Sequence, residues 1–169
     1  MTRKFPSDYK PIALCMAKLN VLVVGNGKIG KRKALAYSKL GAKVHAIDPE
    51  ASQEANFVMS FNTYLEQHKA HFQSQHLVII ATNSQETNEA VEIVCEAQFK
   101  LFNRTDEASR GNFQDLSTHY TPQYFIAVGS GGNAPKIGQY VLSAIHDGKR
   151  VDEAKVQSLI HAHRKVDHE

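Results

Sequence analysis

The stretch "VVGNGKIGKRKALA", Val23–Ala36, sets Gly25, Gly27 and Gly30 at GxGxxG spacing and adds four cations, Lys28, Lys31, Arg32 and Lys33. Glycines so placed between a strand and a helix suit the binding of a pyrophosphate. Gly25 makes the tight turn, Gly27 lets backbone approach the phosphates, and Gly30 lets the helix pack close to the strand. The helix N-terminus then holds the phosphates through its amides. Asp48 lies eighteen residues after Gly30, at the end of the next strand. Its carboxylate can accept hydrogen bonds from the hydroxyls of an adenosine ribose and repels a 2′-phosphate, so NAD is favoured over NADP. The cofactor contacts expected here are Gly25, Asn26, Gly27, Lys28, Ile29, Gly30 and Asp48. The cations stand at the wrong end of a helix, where each costs roughly 0.3–1 kcal/mol against the dipole. A further anion is therefore expected beside them.

Thr82, Asn83 and Asn88 follow the apolar run "HLVIIA", at the carboxyl edge where such sheets bind ligands. Thr82 and Asn83 join the cofactor residues. The polar stretch "FNRTDEASRGNF" follows the next strand at the same edge. Its first acid, Asp106, can reach a substrate beside the nicotinamide. A carboxylate there can act as general base when a substrate loses a hydride and a proton. The sequence has no GxSxG, HExxH, CxxC or GxxxxGK[ST] motif. His161 and His163 are two apart and do not share a helix face, so they do not suggest a metal site.

The elements that must position these groups alternate. Asn20–Gly25 reads as a buried strand, Lys28–Leu40 as an amphipathic helix stopped by Gly41, and Lys43–Asp48 as a strand. A short strand over Phe57–Phe61, a helix over Thr63–Phe72, a strand over His76–Ala81, a helix over Gln85–Ala97 and a strand over Phe99–Asn103 follow. This order predicts an α/β, Rossmann-like doubly wound parallel sheet. Past Asn112 the alternation stops. Leu116–Thr121 and Tyr124–Val128 read as strands with no helix between them. A Gly/Ser/Pro cluster, a helix from Lys136 to His146 and a polar helix from Asp152 come next. The expected division is a dinucleotide-binding domain over 1–112, a dimerisation element over 113–148 and a reduced helical tail over 149–169. Two strands without a crossover helix need a partner to cover their edges, which predicts a homodimer.

Length and composition agree with a small globular protein: 169 residues, 42% hydrophobic and 22% charged. A net charge of +3 is too small to imply nucleic acid. No apolar run approaches the ~20 residues of a membrane span, and the N-terminus has no signal-peptide core. Two cysteines far apart, Cys15 and Cys95, fit a reduced cytoplasmic protein.

Taken together, "YKPIALCMAKLNVLVVGNGKIGKRKA", "VIIATNSQETNEAV", "LFNRTDEASRGNF" and "FIAVGSGGNAPKIGQYV" resemble the siroheme-synthase amino-terminal family. Its members are precorrin-2 dehydrogenases, some of them also sirohydrochlorin ferrochelatases. The pieces occur in family order and cover most of residues 9–141. The resemblance implies oxidation of the tetrapyrrole precorrin-2 to sirohydrochlorin with NAD as acceptor. It places the catalytic aspartate on Asp106 and the serine of the "SGG" turn on Ser130. It makes Asn103 of the N-x-x-D motif, Ser130, Arg32 and Lys33 the expected substrate contacts, the cations meeting the carboxylates of the tetrapyrrole. The chain departs from the family at Arg104-Thr105, where small residues or valine are common, and near Leu116, where a proline is usual. It ends at Glu169, which implies a shortened helical domain and weak or absent metal insertion. An NAD-sensing module without catalysis and a generic NAD-dependent dehydrogenase are the rival expectations.

Overall fold

The computed structural model describes residues 9–50, 54–130 and 135–166. Residues 12–113 make one compact unit; the described residues outside that range belong to a second.

In the first unit five strands form one sheet: β1 (Asn20–Val24), β2 (Lys43–Asp48), β3 (Phe57–Val58), β4 (Leu77–Ile80) and β5 (Leu101–Arg104). Every pairing is parallel and the order is β3-β2-β1-β4-β5. The crossovers are α1 (Lys28–Lys39), α2 (Phe61–Gln67) with α3 (Lys69–Gln73), and α4 (Gln85–Ala97). This is the doubly wound α/β sheet that the alternation implies.

The strand sequences explain why both faces are covered. Along β1, Val21 and Val23 enter one core while Leu22 and Val24 enter the other. Along β4, Leu77 and Ile79 alternate with Val78 and Ile80 in the same way. Side chains of a strand point to opposite faces in turn, so an unbroken apolar run must be buried twice. Tyr37 of α1 closes the first core; Phe61, Tyr64, Phe72, Val91 and Cys95 of the other three helices close the second. Burial pushes the Cys95 thiol up to about 12, which leaves it an inert apolar filler.

Three boundaries differ from expectation. The strand at Phe57 ends at Val58, because the Ser60 hydroxyl accepts from the Thr63 amide and starts α2 at Phe61. The helical stretch after it breaks in two at His68, whose φ of −126° and ψ of 35° leave the helical region. Phe99 adopts a left-handed turn with φ 53°, so β5 begins only at Leu101.

The outer edge of β5 is covered by one asparagine. Asn112 accepts from the Phe102 amide through Oδ1 (2.8 Å), donates from Nδ2 to the Lys100 carbonyl (2.8 Å), and donates its own amide to the Phe102 carbonyl (3.0 Å).

The second unit holds an antiparallel hairpin, β6 (Ser117–Tyr120) with β7 (Phe125–Val128), and helices α5 (Pro135–His146) and α6 (Glu153–Val166). Proline opens α5 one residue earlier than expected, at a position where its missing amide costs nothing. Gly138 lets α5 lie against β6: a Cβ there would come within 2.6 Å of the Ser117 Cβ. Residues 131–134 of the "GSGGNAP" cluster lie outside the described residues. No helix among the described residues is long and apolar enough to cross a membrane.

Candidate active site

From β1 the chain winds outward to β2 and β3, then returns to β4 on the other side of β1. A crevice opens where the winding reverses, at the carboxyl ends of β1 and β4. Gly25 turns the chain there with φ 93°, and a Cβ on it would stand 2.5 Å from the Ala81 carbonyl oxygen. A Cβ on Gly30 would fall inside the Gly25 carbonyl, so helix and turn touch backbone to backbone. Gly27 is different: nothing lies within 4 Å of the place its Cβ would take. It is also the N-cap of α1, and no side chain caps that end. The first-turn amides of α1 therefore adjoin open space, the arrangement that receives an anion.

The cleft holds about 510 Å³. Gly25, Gly27, Lys28 and Ile29 form one wall, and Asp48, Thr82 and Asn83 lie across it. Asp48 is buried to 8% exposure, and each of its oxygens accepts from a backbone amide: Oδ2 from Asn26 (2.6 Å), Oδ1 from Glu50 (2.9 Å). An ionised carboxylate has about four acceptor positions. Capacity remains for a diol, and the carboxylate is already oriented.

Beside the cleft lies a cluster of which the sequence singled out only Asn88 and Asp106. Arg104, at the end of β5, is wholly buried. Its Nε donates to Asp106 Oδ1 (2.9 Å) and its Nη2 to Asp106 Oδ2 (2.6 Å), a two-pronged grip on one carboxylate. Its Nη1 pairs with Glu92 of α4, and Nη2 also reaches Gln85 Oε1 (3.3 Å). Arg110 closes the cluster, with Nε on Glu92 (3.1 Å) and Nη1 on Glu89 (3.3 Å). From the other side Asn88 donates to Asp106 Oδ2 (3.0 Å) and accepts from the Thr82 hydroxyl (2.6 Å). Asp106 is thus one hydrogen-bonded residue away from the cleft wall. The Arg104 guanidinium, aided by Asn88, pulls its carboxyl down to about 2. The same pairing, Asp106 first, holds the Arg104 guanidinium more firmly protonated than usual.

A family model described as "Putative NAD(P)-binding", NAD_binding_7, matches residues 12–115, which span the whole first unit. The chain belongs to this family. Relatives of the NAD(P)-binding module include siroheme synthases. The one from Nitrosomonas eutropha is 30% identical over 139 residues, 78% of this chain and 29% of that protein. The one from Tolumonas auensis is 32% identical over 130 residues, 76% and 28% respectively. Siroheme synthase 2 of Aeromonas salmonicida is 34% identical over 131 residues, 76% and 27%. The chain spans under a third of the length of these relatives. A solved structure, SirC, a precorrin-2 dehydrogenase, shares the fold with TM-score 0.61 at 20% identity, over 88% of this chain and 74% of its own. These similarities bear out the resemblance drawn from the motifs.

The remaining expected residues are not among those that line the cleft. Asn26 is buried, with its amide on Asp48. Arg32 is exposed on α1 and Lys33 half-buried, while Lys31 stands 4.0 Å from Glu54. Asn103 is 5% exposed and donates its side-chain amide to the Phe113 carbonyl (3.1 Å), so its polar end ties down the chain leaving the sheet. Ser130 belongs to the second unit. Sequence reasoning missed Glu92 and Arg110 altogether. The signal for Glu92 was an acid placed next to the apolar residues Val91 and Cys95 of α4.

The cleft fits a dinucleotide: open space at Gly27, an uncapped helix end, and a fixed acid where a ribose would lie. The general base expected at Asp106 fits less well. With both its oxygens bonded to the Arg104 guanidinium, the Asp106 carboxyl is held well below the range of an efficient base at neutral pH.

Proposed function

We propose that this chain is an NAD-dependent precorrin-2 dehydrogenase of siroheme biosynthesis. The observation that carries the proposal is one sheet edge with two functions. An uncapped helix end and a fixed acid suit the dinucleotide, and a second fixed carboxylate, Asp106, stands beside them, linked through Asn88 to Thr82. The siroheme synthases among its relatives and the SirC fold support this chemistry. Bound NAD would supply the hydride acceptor. Lys28 and Arg32, four residues apart on the exposed side of α1, can meet substrate carboxylates, the arginine as a fork and the lysine as a point charge. Lys33 and Asn103 complete the proposed substrate set of this unit. We place the protein in the cytoplasm, since Cys15 and Cys95 are both free thiols.

Three measurements test this function. Purified protein with precorrin-2 and NAD is expected to form sirohydrochlorin, and Asp106→Asn to form it at least about tenfold more slowly with NAD affinity unchanged. A parent that binds NAD and turns over no precorrin-2 would make the chain a sensing module instead. Asp48→Ser is expected to weaken NAD and narrow its advantage over NADP, because the serine hydroxyl no longer repels a 2′-phosphate. A parent that already prefers NADP would refute the role of Asp48. Sedimentation is expected to show a homodimer, built on residues 113–141, where Tyr120, Tyr124 and Phe125 are each more than half exposed. A monomer at micromolar concentration would count against it.

A further inference from the structure

We propose that Arg104 is a positioning residue: it clamps both oxygens of Asp106, so that this carboxylate serves the substrate as a fixed hydrogen-bond acceptor for N–H groups and not as a proton acceptor. The inference rests on the substrate role proposed for Asp106. A tetrapyrrole presents pyrrole N–H donors at its centre, and the Asp106 side chain, 32% exposed, has acceptor positions left over from the clamp.

The geometry shows a built device. A wholly buried guanidinium is costly unless its donors are matched, and here each of its three nitrogens has at least one partner. Those partners are themselves held: Glu92 by Arg110, Gln85 by its own bond to Glu89 (2.8 Å), and Asp106 by Asn88. Arg104 is the charged group bonded to Asp106, and Glu92, Arg110 and Glu89 stand behind it in the same network, while Glu107 is its neighbour in the chain. The lowered titration of Asp106 agrees with this arrangement. Bound NAD would accept the hydride, with both electrons of the broken C–H bond. A proton leaves to water, and Asp106 stays ionised throughout.

The two roles predict opposite effects. If Asp106 took the proton, loss of Arg104 would make it a stronger base and hold or raise the rate at neutral pH. If Arg104 positions an acceptor, its loss lets the carboxylate swing and the rate falls. Because Arg104→Met alone strands Glu92, the test pairs it with the double variant Arg104→Met/Glu92→Leu, read beside the parent. The expected result is a kcat lower by about tenfold and a raised KM for precorrin-2, with dinucleotide affinity unchanged. Arg104→Lys, which keeps the charge and loses the fork, is expected to recover only part of kcat. Without any substrate, the carbon-13 signal of the Asp106 carboxyl is expected to titrate at about 2 in the parent and clearly higher in the double variant, where Asn88 still bonds it. A folded double variant with undiminished kcat overturns the proposal, as does an Asp106 titration that does not move. A parent without precorrin-2 turnover defeats the functional assignment, and with it the acceptor role, whatever the titration shows.

Discussion

Gly27→Val is expected to leave the fold intact and reduce dinucleotide affinity by at least about a hundredfold, roughly 2.7 kcal/mol. The space beside Gly27 is empty of protein, and its φ of −68° suits any residue, so the folded chain has room for the new side chain. The valine methyl groups would instead fill the volume over the α1 amides where phosphates must come close. Calorimetric titration with NAD alongside thermal unfolding separates the two effects. The comparison is Gly25→Ala, where the left-handed φ and the Ala81 carbonyl both oppose a Cβ, and where stability itself is expected to fall by about 2 kcal/mol. Parent-like NAD affinity in folded Gly27→Val protein would show that the cleft is not the dinucleotide site.

Glu92→Ala is expected to cost about 3 kcal/mol of stability, since removing one member of a buried ion pair leaves the other charge without compensation. Glu92 is the acid shared by two arginines, and its side chain is only 11% exposed. Without it, Nη1 of Arg104 remains buried beside alanine. Arg110 lies closer to solvent and suffers less. For a unit of about 100 residues such a loss lowers the melting temperature by on the order of 10 °C or more. Glu92→Gln keeps one acceptor and is expected to fall between the two. Urea unfolding of the three proteins measures the order; an alanine variant within about 0.5 kcal/mol of the parent would show that the cluster contributes little to stability.

The sheet was legible because its code is local. The run "NVLVV" reads as a strand buried on both sides, and Gly25, Gly30 and Asp48 announce the turn, the close approach and the acid at the strand end by spacing alone. Asp106 was legible as a residue, through its place after a strand, but its character was not. That character depends on Arg104, Asn88 and Glu92, which come from two different elements and meet only in the folded unit. Arg104 was visible in the sequence only as a departure from the pattern of the family it resembles, and Glu92 only as an acid next to the apolar Val91 and Cys95. The break at His68 and the turn at Phe99 had no sequence signal, because neither residue is a glycine or proline.

The asparagine that covers β5 also sets how copies of this chain can meet. An open strand edge is a template for another strand, and sheets of two molecules can fuse along it. Here Asn112 occupies the amide of Phe102 and the carbonyls of Lys100 and Phe102, the groups a newcomer would need. At the opposite border β3 is two residues long, too short to guide a register. The sheet is therefore terminated on both sides and cannot grow into a continuous ribbon. Asn112→Ala should reopen one border, so that a folded, well-behaved protein acquires a tendency to pair edge to edge along β5 without any change to its cleft.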